Sequence, residues 1–239
     1  MESSATLTKT ERAKILVVDD EAAILRQIKW GLADGFEVLL AENEEEVDQI
    51  AKQFAWSRSY LDVYDHFGLL RERSMFAHCL YLDAKDRALM AKKGGAGAFC
   101  PTSNLFLGSG LFDLDSMSDA GIRIGLATDV GGGTSLSLLQ TMDEAYKVLH
   151  LQGQSLPPSR ALYLATLGAA EALDLDAHIG NLAPGKEADF VVLDPGGSRI
   201  TARRAQATTS IEELLFSLIF LGDDRNVAAT YLQGKRASF

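Results

Sequence analysis

An apolar run from Ile122 to Thr128 ends on Asp129 and leads at once into Gly131-Gly132-Gly133-Thr134. Strands buried on both faces read as near-continuous apolar sequence. In parallel-sheet and barrel enzymes the functional groups collect at the carboxyl ends of such strands. Asp129 stands at one of these ends. The same position also suits an aspartate whose carboxylate binds loop or helix amides, so spacing alone leaves both readings open.

The strand-then-helix pattern recurs along the chain. Ile15–Val18 is a short β-branched run ending in Asp19-Asp20-Glu21, and Ile24, Ile28 and Leu32 then return at helical spacing. Phe36–Ala41 reads as a second strand, Ser74–Leu80 as a third, Ala98–Pro101 as a short fourth and Ile122–Thr128 as a fifth. Helices are expected over 44–53, 85–92, 136–149, 159–172 and 211–221, and late strands over 189–194 and 227–232. In the 159–172 segment, small residues at Ala165, Gly168, Ala169 and Ala170 suit close packing on a neighbour. The order predicts an α/β fold on a parallel sheet of about five β-α units, with a small C-terminal β region. That sheet is either open and flavodoxin-like or part of a (β/α)8 barrel. Five units cannot close an eight-stranded barrel, because tilt, shear and strand number are linked. The sheet therefore stays open or closes through a partner, which makes a homodimer one expectation.

Composition removes several classes of function. The chain of 239 residues has 33 acidic and 23 basic residues, a net charge of -10. Such a balance repels phosphate backbones and anionic membranes, so neither nucleic acid nor a membrane is the expected partner. A free base is not excluded. The N-terminal residues Met1–Thr10 lack the apolar core of a secretory signal, and the most apolar late stretch, Leu214–Leu221, is too short to span a bilayer. Cys79 and Cys100 each follow or end an apolar run and read as reduced, buried thiols of a cytoplasmic protein.

Several separated segments resemble the guanine deaminases, a branch of the zinc-dependent amidohydrolase superfamily. They are Tyr60-Leu-Asp-Val-Tyr-Asp-His-Phe-Gly-Leu-Leu70, Phe76-Ala-His-Cys79, Cys100-Pro-Thr-Ser-Asn-Leu-Phe-Leu-Gly-Ser-Gly110, Gly125–Gly133 and Thr141–Tyr146. Leu182-Ala-Pro-Gly-Lys-Glu-Ala-Asp-Phe-Val-Val-Leu-Asp194 resembles the superfamily's return from the barrel into its small β domain. Lys14-Ile-Leu-Val-Val-Asp-Asp-Glu21 instead resembles the opening of a response-regulator receiver. The resulting expectation is a disordered tail over 1–11 and a receiver-like β-α-β segment over 12–41. An amidohydrolase half-barrel-like segment follows over 42–178, and a remnant of the small β domain over 179–239.

The resemblance implies hydrolytic deamination of guanine to xanthine. A metal ion makes hydroxide available near neutral pH, and a carboxylate carries its proton to the leaving amine. Carried over by position, Glu42 is the proton shuttle, His78 polarises the attacked centre, and Asp129 is metal ligand and base. Ser103 and Asn104 line the substrate site. Zinc is the implied metal, yet its ligand set is incomplete. The family's His-x-His pair is absent, and Leu39 stands where a third histidine ligand is expected, ahead of Glu42-Asn43. Catalytic zinc normally takes three protein ligands and a water. The expected hydrolase is therefore impaired or inactive, and a non-catalytic chimeric or truncated α/β scaffold is the alternative. Each residue also has a structural reading: His78 bonding a carbonyl, Glu42 capping a helix, Asp129 binding its glycine loop. A receiver-like signalling module is a third reading, weakened because no phospho-accepting aspartate ends the third strand. Asp19 and Asp20 beside Asp129 suggest a weak Mg²⁺ site on an acidic sheet edge. His66, His150 and His178 have no paired-ligand spacing and read as surface residues.

Overall fold

A computed structural model describes residues 13–18, 36–41, 52 and 54–237. The chain divides into two compact units, residues 1–69 and 70–239. In the first, β1 (Ala13–Val18) and β2 (Phe36–Ala41) pair in parallel, with Ala13 opposite Phe36 and Val18 opposite Ala41. Helix α1 (Tyr60–His66) begins at Ser59, whose hydroxyl accepts from the Asp62 amide at 3.4 Å. Phe54 meets Trp56 and Phe67 edge-on, and His66 lies against Trp56 at a centroid distance of 4.4 Å. His66 thus contributes to aromatic packing.

The second unit carries the sheet that positions the site. Strands β3 (Met75–Ala77), β4 (Ala96–Phe99) and β5 (Arg123–Leu126) are parallel and lie in the order β3-β4-β5. The central strand β4 is buried at every residue, as its apolar sequence demands. Helix α2 (Ala84–Lys93) crosses from β3 to β4. A reciprocal Asp83–Asp86 capping box starts it, and Gly94 ends it in the left-handed region at φ 75°. Helices α3 (Pro101–Leu107) and α4 (Leu114–Asp119) connect β4 to β5, with Pro101 at the first helical position, where a missing N–H costs nothing. Phe99 stacks on Phe112 at 4.4 Å, and both are fully buried with Met117, Leu114 and Leu149. Helix α5 (Leu138–Leu151) supplies Met142, Ala145, Val148 and Leu149 to this core on one amphipathic face.

Three expectations are revised. The five strands expected in a single sheet divide, among the described residues, between the β1-β2 pair and the β3-β4-β5 sheet. Consecutive neighbours in β3-β4-β5 follow the order of a barrel arc. The third strand stops at Ala77 because His78 and Cys79 turn into the left-handed region, at φ 66° and 51°. The helix expected over 159–172 breaks at Thr166 into α6 (Pro158–Ala165) and α7 (Leu167–Ala172). At the break the Thr166 hydroxyl donates back to the Leu162 carbonyl at 2.7 Å. A side chain on Gly168 would approach the Tyr163 carbonyl to 3.0 Å, so this small residue accommodates the break itself.

The C-terminal region is an antiparallel sheet of β6 (Phe190–Leu193), β7 (Val227–Leu232) and β8 (Lys235–Arg236). Phe190 and Tyr231 face each other across it, stacked at 4.5 Å. Between β6 and β7 the chain forms α8 (Arg199–Ala205) and α9 (Ile211–Leu221). Tyr146 of α5 meets Phe220 of α9 edge-on at 4.9 Å. Buried Asn226 donates to the Asp194 carbonyl and to the Thr201 hydroxyl, fixing the return into β7. No helix among the described residues is long and apolar enough to cross a membrane.

Candidate active site

The carboxyl edge of β3-β4-β5 gathers the candidate residues in strand order. His78 follows the last residue of β3, Cys100 follows the last residue of β4, and Asp129 lies just past β5. The register pairs Ala77 with Ala98 and Phe99 with Leu126, which brings all three to one level of the sheet. The His78 amide donates to the Ala98 carbonyl at 3.0 Å, and Ala127 donates to Phe99 at 2.9 Å, carrying the ladder to the edge.

At that edge the backbone is held in an unusual conformation. His78, Cys79 and Asp129 have φ of 66°, 51° and 49°. Left-handed backbone is uncommon outside glycine and costs on the order of 1–3 kcal/mol per residue, and it gathers at functional sites. The turns direct the His78 and Asp129 side chains to each other, with Nε2 and Oδ2 3.7 Å apart and each side chain about two-fifths exposed, at 41% and 38%. The Asp129 carbonyl accepts from the Gly133 amide, so the glycine loop folds back on its own strand end.

Helix α3 supports the imidazole from behind. Asn104, 2% exposed, places Oδ1 2.7 Å from His78 Nδ1. A carbonyl oxygen can only accept, so Nδ1 carries the hydrogen and the neutral ring presents a lone pair at Nε2 toward Asp129. The other amide atom, Asn104 Nδ2, is buried without a partner, as is Thr102 Oγ1. Ser103 is fully buried and donates its hydroxyl to the Cys100 carbonyl at 3.2 Å.

Both cysteines are shielded. Burial pushes the Cys79 thiol up to about 12 and the Cys100 thiol up to about 11, with Asp129 adding to the effect on Cys100. Cys79 Sγ donates to the Phe76 carbonyl at 3.3 Å. Cys100 Sγ, a His78 ring nitrogen and an Asp129 carboxylate oxygen all lie within 4.8 Å of one another.

The structure therefore brings His78, Asp129, Ser103 and Asn104 to one edge. Glu42, Asp19 and Asp20 lie outside the described residues, as does the Mg²⁺ expectation that rests on Asp19 and Asp20. Sequence reasoning overlooked two features, the Asn104–His78 contact and the place of Cys100 beside Asp129. The second was signalled by a cysteine closing an apolar strand, and the first by no local pattern.

Functional groups at the carboxyl edge of consecutive parallel strands, with helices between them, define the barrel-type α/β enzymes. The Amidohydrolase family model matches residues 36–237, and the chain belongs to that family. It is 44% identical over 196 residues to the guanine deaminase of Escherichia coli (strain K12), an alignment covering 82% of this chain and 45% of the relative. The Mus musculus guanine deaminase is 34% identical over 206 residues, again 82% of this chain and 45% of the relative. The solved structure of E. coli guanine deaminase superposes with a TM-score of 0.79 at 42% identity, covering 89% of this chain and 50% of that one. The chain thus spans about half the length of the guanine deaminases it matches.

Membership of this family implies a metal, typically zinc. The donors at the edge suit such an ion: a carboxylate, an imidazole whose second nitrogen is already fixed by Asn104, and a thiol. A nitrogen and an oxygen on one tetrahedral zinc lie roughly 3.3–3.4 Å apart at ordinary bond lengths. The His78–Asp129 separation is 3.7 Å.

Proposed function

We propose that this chain is a guanine-deaminase-like hydrolase acting on a free purine base, impaired by its incomplete histidine set. The observation that carries the reading is the convergence of His78 and Asp129, 3.7 Å apart at the edge of a family-matched sheet. Support also comes from the relatives aligned with most of this chain, which are guanine deaminases.

In this reading Asp129 holds the metal and takes the proton of the attacking water. Zinc bound there supplies Lewis acidity, which makes hydroxide available near neutral pH. His78 stands at the attacked carbon with Asn104 fixing its ring plane through Nδ1, so the imidazole meets the substrate in one orientation. Glu42 carries a proton to the leaving amine. Ser103 bonds into its own helix and contributes shape beneath the site. Residues 12–41 are read as receiver-like on the strength of Lys14–Glu21 alone, while the Amidohydrolase family match already begins at residue 36.

Ammonia release from guanine, followed with and without added Zn²⁺ and with Asp129→Asn as control, tests the reading. Slow, zinc-dependent release that the substitution abolishes is expected, whereas no release at saturating zinc overturns it. The alternative, a non-catalytic scaffold, is favoured by a sequence whose four histidines include no His-x-His pair. It predicts no turnover and less than about a tenth of an equivalent of retained zinc.

A further inference from the structure

We propose that Cys100 is a metal ligand in this chain, forming with His78 and Asp129 a mixed sulfur, nitrogen and oxygen site for a borderline or soft divalent cation such as zinc, cobalt or cadmium. The inference rests on the reading of this edge as a metal-dependent site, and it assigns donors beyond those carried over by resemblance. Three side chains from the ends of three neighbouring strands place one donor atom each within 4.8 Å of the others. Two of the three face each other closely enough for one cation to bridge them. With Nδ1–H bound to Asn104 Oδ1, the Nε2 lone pair of a neutral His78 points toward the Asp129 carboxylate 3.7 Å away. A cation placed between these two atoms would be held by both.

Cys100 adds the donor that sets the preference among metals. It is buried, its thiol makes a long hydrogen bond of 3.5 Å to the Ala98 carbonyl, and the hydrolytic reading gives it no role. As a metal binds, the S–H bond breaks, its proton leaves to solvent and the sulfur electron pair forms the bond to the ion, so charge and atoms balance. Burial holds the free thiol neutral in the absence of metal. Thiolate ligation favours zinc, cobalt or cadmium over Mg²⁺, whose preferred ligands are all oxygen. His78 bound as a ligand no longer faces substrate through Nε2, which connects metal retention to slow turnover.

Cobalt(II) titration of the full chain, followed by absorption, is the test. A sulfur-to-cobalt charge-transfer band in the near ultraviolet is expected, saturating with binding. Cys100→Ser should remove the band and weaken cobalt binding at least about tenfold, since even outer-shell substitutions cost that much. Cys79→Ser should leave both unchanged. Absence of the band at saturation, or its survival in Cys100→Ser, would overturn the assignment. X-ray absorption of the zinc-loaded, unsubstituted chain gives a second readout that needs no variant. A sulfur shell at about 2.3 Å beside nitrogen and oxygen at about 2.0–2.1 Å is expected, and a shell of nitrogen and oxygen alone would overturn it. Ammonia release by a chain whose zinc has no sulfur neighbour refutes Cys100 ligation and leaves the deaminase reading standing. A sulfur shell without ammonia release supports Cys100 ligation and counts against the deaminase reading.

Discussion

Asn104 contributes to the site by fixing which nitrogen of His78 carries a hydrogen. Its Oδ1 sits 2.7 Å from Nδ1, so the neutral ring holds its proton on that nitrogen. Asn104→Leu keeps a buried side chain of similar size and removes the acceptor. The expected result is a mixture of the two His78 tautomers, read from nitrogen chemical shifts, where the unsubstituted chain shows one. A second prediction concerns the thiols, which burial raises to about 12 at Cys79 and about 11 at Cys100. Only the thiolate reacts, so alkylation of the folded, metal-free chain at pH 8 should run at least about tenfold slower than in denaturant. Fast labelling of the folded chain would contradict this. At this scale the sequence was partly legible. Asp129 could be singled out because an apolar strand and a glycine loop bracket it. The Asn104–His78 contact could not, because it joins residues 26 apart through a helix whose placement depends on packing.

Secondary-structure elements were legible where periodicity and caps agreed. Helix α9 matches its expected bounds of 211–221, because Ser210 caps it and an apolar sequence fills it. The break between α6 and α7 falls at Thr166, at φ -130° and ψ -96°, two residues before Gly168, and the surrounding alanines and leucines concealed it. Gly168→Ala should cost roughly 1–3 kcal/mol, measured by denaturant titration, because the added methyl meets the Tyr163 backbone. Across the same break Tyr163 donates its hydroxyl to Glu171, and this bond leads the causes that raise the phenol to about 12. A raised phenol stabilises the fold fully below its unfolded pKa near 10 and loses that contribution as pH rises through about 12. Glu171→Gln should return the late-ionising tyrosine toward 10 in an absorbance titration. In the sheet layer, Phe112→Ala removes a fully buried ring stacked on Phe99 and should cost about 3–5 kcal/mol.

For the whole molecule, the sheet has a chemical edge and a structural edge. At the amino end of β5, Arg123 donates to the Glu171 and Gly94 carbonyls and pairs with Asp174, which Arg73 also approaches. The Arg123 hydrogen bond holds the Asp174 carboxyl below the usual carboxylate range. A lowered carboxyl contributes stability above its unfolded pKa and loses it as pH falls through the folded one. Arg123→Met should therefore lower Tm near neutrality, and the gap to the unsubstituted chain should narrow toward about pH 2 as the Asp174 part is lost, leaving the part due to the Glu171 and Gly94 carbonyls. The family was legible at this scale because its motifs sit in order along the chain. The division of strands between two sheets was not, since apolar runs identify strands and leave their partners open. The proposed function places the His78–Asp129 edge in a hydrolase of purine bases. Ammonia release from guanine by the zinc-loaded chain tests it most directly. Slow, zinc-dependent release that Asp129→Asn abolishes is expected, and no release at saturating zinc would overturn the proposal.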